Sequence, residues 1–484
     1  MQVLPQSPAR LLKGPPAGWA VALLFLTLVA YWPATHAGFI WDDNDYVTAN
    51  PTLRDAAGLA RIWTDTHANW QYYPLVFTTF WLEYHAWGLS PLGYHLDNIL
   101  IHAASAIVLW RLLLRLEFAP TVAWLAAAIF AVHPVEVESV AWVTERKNVL
   151  CGLFYLSAML IWFNARPSKW SYLGSLALFT CAMFSKTVAA TWPAALLVIL
   201  WWRSGRVRLR DVINMIPFFA IGAALGLLTT SLESGQVGAG TGGIHDWDFT
   251  FADRCAIAGR ALWFYAGKAI LPVDLSFIYP RWTMKSIWPP IAAVAMLIIL
   301  GQTRRIGRGP LAAALLFMIT LTPALGFVDY YPMRYSFVAD HFQYLAIIAL
   351  IVPIAILANR CGVALFVVLL LLVATFVQCT NYMDPVTLWS DTVQKNPASW
   401  MAHVNLGQAW DAEHRPDLAE PQYKTATDCA PDEPDTWWKL GEFHASRRHY
   451  PQAEAEFRRA LQVDPEYEPA QRDLARVLAI ESRN

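Results

Sequence analysis

Apolar positions gather in long, nearly charge-free blocks up to about residue 380, and polar residues are interspersed at helical spacing only beyond that point. An α-helix needs ~20 such residues to cross a bilayer. Spans are predicted near 17–35, 95–117, 120–134, 149–165, 170–185, 187–202, 212–231, 287–303, 310–327, 340–358 and 361–380, about eleven in all. Ala256 to Leu271 is nearly as apolar but carries Arg260 and Lys268. It is read as an amphipathic helix at the outer interface, or a re-entrant one, because a crossing there would invert every later loop.

The basic residues set the orientation. Arg10, Lys13, Arg111, Arg115, Arg166, Lys169, Arg203, Arg206, Arg208, Arg210, Arg304, Arg305, Arg308 and Arg360 all fit on one side, which the positive-inside rule makes cytoplasmic. Loops 36–94, 135–148, 232–254, 272–286 and 328–339 then face outward with the C-terminal tail, and the termini lie on opposite sides. The first apolar run, Gly18 to Trp32, has no clear small-x-small cleavage site after it and reads as a retained helix.

The tail repeats itself at 34 residues. Leu406, Gly407, Ala419, Tyr423, Ala426 and Pro431 recur as Leu440, Gly441, Ala453, Phe457, Ala460 and Pro465. This is the tetratricopeptide (TPR) pattern: small residues let paired helices approach, aromatics fill the groove between them, and proline ends each second helix. The predicted architecture is all-α, a polytopic helical domain over 1–380 followed by a TPR solenoid over 381–484. Its repeats lie near 400–433 and 434–467, with a capping helix at 468–484.

Composition agrees with a membrane chain, at 56% hydrophobic and 15% charged residues. A net charge of −1 gives no field that would draw nucleic acid. The six cysteines are scattered without metal-ligand spacing and read as apolar packing residues. Neither a Walker A loop nor a dinucleotide fingerprint occurs, which argues against ATP-driven transport or a cytosolic nucleotide-sugar site.

Candidate chemistry lies in the outward loops. Asp42, Asp43 and Asp45 directly follow a span, where partial desolvation raises a carboxyl toward general-base duty; Asp and Asn are also ordinary turn and cap residues. The Asp43-x-Asp45 spacing admits a metal only weakly, so neither a metal nor another cofactor is expected. Glu136 and Glu138 precede Trp142, Glu145, Arg146 and Lys147, where the two cations could hold a phosphate or pair with the acids. Lys186 sits between two apolar helices with almost no loop, as either a lipid-phosphate ligand or a snorkelling lysine. Arg260 and Lys268 share a helix side, and the loop from Asp329 onward holds Tyr330, Tyr331, Arg334, Asp340 and His341.

The ordered set Phe39-Ile40-Trp41-Asp42-Asp43, Tyr73-Pro74-Leu75, His133-Pro134-Val135-x-Val-Glu138, Ser185-Lys186, Val338-Ala339-Asp340-His341-x-x-Tyr344-Leu345 and the terminal repeats resembles the transmembrane-and-TPR O-mannosyltransferases and their bacterial relatives. These belong to the GT-C class of membrane glycosyltransferases. The resemblance implies inverting transfer of a sugar, mannose above all, from a polyprenyl-phosphate donor to a protein Ser or Thr on the non-cytoplasmic face. It implies that Asp42 or Asp43 is the general base. Lys186, with one or more of Arg146, Arg260, Lys268 and Arg334, would neutralise the leaving phosphate. Glu136, Glu138, Asp340 and His341 are the substrate-binding candidates. The TPR groove would take acceptor polypeptide or a partner protein, from the periplasmic side of a bacterial inner membrane. Some relatives have Asp-Arg where this chain has Asp340-His341, which leaves a fixed positive charge missing there. The rival readings are a transferase acting on a glycolipid, a membrane-anchored TPR scaffold and a transporter. The scaffold would need neither the acid cluster nor Lys186, and a transporter would be expected to show internal repeats across its spans.

Overall fold

The computed structural model describes residues 17–164, 168–236, 249–283, 286–302, 307–329 and 331–482. Arg10, Lys13, Arg166, Arg304, Arg305 and Tyr330, much of loop 232–254 and the last two residues of the capping segment lie outside them. The described residues form helices and turns with no strand. Every apolar stretch named above contains a helix, from Ala17–Ala30 and Pro91–Arg115 through Arg146–Trp162 and Lys169–Met183 to Ile348–Arg360 and Ala364–Thr380.

Most of these helices are shorter than a full span. Pro91–Arg115 and Leu209–Leu232 are long and apolar enough to cross a bilayer unaided. The helices Pro120–Ala131 and Pro134–Ala141, bent by 46°, qualify only as a pair, as do Ala364–Thr380 and Pro385–Lys395, bent by 110°. The eleven apolar stretches are therefore not eleven full-length spanning helices. Prolines and polar turns cut several of them short, and within 340–358 the helix begins only at Ile348, because Asp340–Gln343 is a tight 3-10 turn. Leu365, Phe366, Val373 and Val377 on Ala364–Thr380 point outward, as lipid-facing positions do. The chain is an integral membrane protein. The segment expected to lie amphipathically is one helix, Phe251–Ile270, opened by a capping box from Thr250 to Asp253.

Beyond Thr380 the chain folds into the helix Pro385–Lys395, two helical hairpins (Trp400–Ala412 with Pro416–Cys429, Pro434–Ser446 with Tyr450–Val463) and a last helix, Glu468–Glu481. The repeated small residues sit where the paired helices touch. A Cβ on Gly407 would lie 3.0 Å from the Tyr423 ring, and one on Gly441 would lie 2.5 Å from the ring of Phe457. This helical tail is docked on the membrane domain. Arg334 pairs with Glu433 and, at 3.3 Å, with Asp435; Lys395 Nζ donates to the Leu275 carbonyl at 2.6 Å; and Asn396 Nδ2 donates to Ile278 at 3.2 Å.

Overpacking is the expected weak point of the hairpins. Gly441→Ala should destabilise the tail by about 1–3 kcal/mol, seen as faster proteolysis of the 434–467 hairpin, whereas wild-type resistance would mean that Phe457 can swing aside at little cost.

Candidate active site

The loop that follows the first apolar helix is tied to the segment 135–148 by one carboxylate. Asp43 is fully buried and accepts three hydrogen bonds: from Ile40 N–H at 2.9 Å, from Thr144 N–H at 2.8 Å and from Thr144 Oγ1 at 2.7 Å. Burial pushes its carboxyl up to about 6, against the opposing pull of these donors and of Lys147. Its neighbour Asp42 is held differently. The residue is partly exposed, and its Oδ1 is buried without a hydrogen-bond partner among the described residues. Burial raises it to about 8; the nearby Lys147 works against the rise, and the charges of Asp43 and Glu145 add to it. Trp41, just before it, adopts φ +44°, a left-handed conformation that costs a bulky residue on the order of 1–3 kcal/mol.

Glu145 organises the cations. It ends the 3-10 turn Val143–Glu145, is 1% exposed, and pairs with Lys147 Nζ through Oε1 and with Lys186 Nζ through Oε2, both at 3.1 Å. Burial alone would push the Glu145 carboxyl up, but His341, Lys147 and Lys186 hold it below the usual carboxylate range. The two lysines respond in opposite directions. Burial opposes the charge on each, but Lys147 also faces Tyr46, Asp42 and Tyr73 and is held above its ordinary value. Lys186 has Glu145 as its chief anion, is repelled by Lys147 and is pushed down.

A second acid–base pair abuts this one. Glu138 accepts from His341 N–H at 2.9 Å and lies 2.8 Å from His341 Nδ1, while His341 Nε2 is 3.9 Å from Glu145. Asn148 Nδ2 fixes the corner by donating to Ser139 Oγ at 3.1 Å and to the His341 carbonyl at 2.8 Å. Asp340 is buried, accepts from Tyr279 Oη at 3.0 Å, and is raised by burial and by the charge of Glu138.

The structure thus brings Asp42, Asp43, Lys186, Glu138 and His341 into one continuous cluster, with Asp340 at its edge. The other residues singled out from the sequence lie outside that cluster, although Lys268 and Glu136 are close enough to Asp340 at its edge for the charges to interact. Arg146 faces away from the cluster and is committed inside the fold, to Glu83 at 2.6 Å, to the Tyr94 carbonyl at 2.9 Å and to Asn98. It has no surface left for a phosphate. Lys147, its neighbour around the helix, faces the site instead. Arg260 lies over the Trp282 ring at 4.5 Å, Lys268 closes a turn onto the carbonyls of Val273 and Asp274, and Arg334 serves the docked tail. Glu136 is fully buried, with neither carboxylate oxygen hydrogen-bonded among the described residues. Thr144 and Glu145 are the residues that sequence reasoning did not select. The available signal was an acid two residues before a lysine at the start of a helix.

No family model matches the chain. It is similar to a protein O-mannosyl-transferase of Caenorhabditis elegans, 24% identical over 417 residues, which are 80% of this chain and 59% of that protein. It is 32% identical to a protein O-mannosyl-transferase of Drosophila melanogaster over 179 residues, 34% of this chain and 21% of that one. The chain therefore spans less than two thirds of the length of either relative. Among solved structures, it is similar to ArnT from Cupriavidus metallidurans bound to undecaprenyl phosphate, at a TM-score of 0.41 and 12% identity over 90% of this chain and 79% of that one.

Arg146→Met would leave Glu83 buried without its cation, a loss of about 3–5 kcal/mol, while Arg260→Met should stay within about 0.5 kcal/mol of wild type. Thermal unfolding of the detergent-solubilised variants checks this, and equal midpoints would contradict the structural role of Arg146.

Proposed function

We propose that this chain is a membrane glycosyltransferase that moves a sugar, mannose, from a polyprenyl-phosphate donor to a protein Ser or Thr hydroxyl on the non-cytoplasmic face, which is the periplasmic face of a bacterial inner membrane. The observation that carries this reading is Asp42, a partly exposed carboxylate with an unpartnered oxygen, beside a lysine pair anchored on one buried glutamate. The similarity to a protein O-mannosyl-transferase over 80% of the chain supports it.

The chemistry follows from those groups. Asp42 takes the proton of the acceptor hydroxyl as that oxygen attacks the anomeric carbon from the face opposite the phosphate. A new carbon–oxygen bond forms to the acceptor, the bond to the phosphate oxygen breaks, and the configuration inverts. The donor phosphodiester carries one negative charge and the departing lipid phosphate gains a second. Lys147 and Lys186 supply fixed positive charge where that charge develops. Because Asp43 already accepts three hydrogen bonds, it positions the loop and leaves Asp42 as the base. Asp340 and His341, with Glu138 behind them, bind the sugar or acceptor. The acceptor polypeptide lies along the TPR hairpins, whose groove contains an open pocket of about 360 Å³ bordered by Asp411, Tyr423, Lys439 and Phe443.

Purified protein supplied with polyprenyl-phosphate mannose and a Ser/Thr-rich periplasmic extract should transfer the sugar. Asp42→Asn should lower turnover by about 10²–10⁴-fold and Lys186→Met by about 10²-fold or more, both in folded protein. Undiminished transfer by Asp42→Asn would remove Asp42 as the base, and no transfer from any lipid-linked sugar would remove the enzyme reading.

A further inference from the structure

The ring system beneath Asp42 is assembled from distant parts of the chain. Trp41 stacks on Trp142, with centroids 5.3 Å apart at 30°, and meets Phe277 edge-on at 5.3 Å and Trp389 edge-on at 5.9 Å. Phe277 in turn touches Trp389 at 5.3 Å. Trp389 is 2% exposed and Phe277 3% exposed, so these contacts are made inside the protein.

Trp389 is contributed from late in the chain, although it packs into the same core as the apolar helices. It lies on Pro385–Lys395, the first helix past the last apolar one, from which it bends away by 110°. The same junction reaches the loop after the first apolar helix through its backbone, where Gly38 N–H donates to the Met383 carbonyl at 2.8 Å. The far end of the helix holds the segment bearing Phe277, through Lys395 to the Leu275 carbonyl and Asn396 to Ile278.

Trp41 sits at φ +44°, a conformation that a bulky side chain keeps only when its surroundings over-determine it. Rings on three sides supply that constraint. Relaxing Trp41 to an ordinary φ rotates the peptide leading into Asp42 and swings its carboxylate.

We infer that Trp389 is a positioning residue: by packing on Trp41 it holds the backbone conformation that aims Asp42 into the site. The first helix of the tail is thus a wall of the reaction centre as well as a link to the repeats. This rests on the reading of Asp42 as the base. The high Asp42 carboxyl value fits the same packing, because burial is its main cause.

The test uses the full-length protein in detergent, with hydrogen–deuterium exchange over residues 38–46 and the pH profile of sugar transfer measured on wild type, Trp389→Ala and Trp389→Phe. Trp389→Ala should speed exchange in 38–46, lower kcat by about 10–100-fold and move the pH midpoint down from near 8, toward the usual carboxylate range. Trp389→Phe, which keeps an aromatic edge against Trp41, should restore most of all three. Unchanged exchange in Trp389→Ala would overturn the clamp whatever Asp42 does. Faster exchange with kcat and midpoint unmoved, or activity lost only in proportion to folded protein, would overturn the positioning role. An Asp42→Asn control that turns over like wild type would instead overturn the base reading and, with it, any role of Trp389 in aiming a base.

Discussion

The site depends on one buried carboxylate with two ammonium groups. Glu145 is almost without solvent, and a lone anion there would cost several kcal/mol, as would either lysine without it. Joined, the carboxylate offsets much of the cost of both lysines, leaving one net positive charge, and fixes the relative position of the turn at Val143–Glu145 and the break between the helices ending at Met183 and starting at Trp192. Breaking any one contact would leave an uncompensated charge in a low-dielectric interior. That penalty, more than the attraction of each pair, is what makes the arrangement specific.

From this fixed point the loop after the first apolar helix is located by Asp43 and Thr144. Two adjacent aspartates then acquire different characters from their surroundings alone. Both oxygens of Asp43 accept hydrogen bonds, three in all, from its own loop and the next. Asp42 is left with an idle buried oxygen and a carboxyl that burial makes more basic than its neighbour's. A base needs an available lone pair and a raised pKa, and of the two it is Asp42 that combines an oxygen without a hydrogen bond with the higher value.

Much of the helical layout was legible in the sequence because long apolar blocks leave the backbone little alternative to a helix. Helix lengths were less legible. The polar run Asp340-His341-x-Gln343 shows how a few residues turn an apparent span into a turn followed by a shorter helix, Ile348–Arg360. The acidic loop and Lys186 stood out because charge beside an apolar helix is expensive. The choice between Arg146 and Lys147 did not, because consecutive residues on a helix point about 100° apart and the phase is set by Asn98, Glu83 and Tyr94 from remote helices. Arg334 was read as a phosphate ligand, and nothing local to it indicates that Glu433 and Asp435, about a hundred residues later, fold back to meet it.

The most direct measurement is the equilibrium affinity of folded Glu145→Gln for polyprenyl phosphate, compared with wild type across pH. Removing a negative charge from a phosphate site should tighten binding if Glu145 is only a nearby anion. If it instead holds Lys147 and Lys186 charged and in place, the expected result is binding weaker by about tenfold or more, with a further loss as pH rises and the already depressed Lys186 gives up its proton. Equal or tighter binding, with no new pH dependence, would contradict the central place given to this carboxylate.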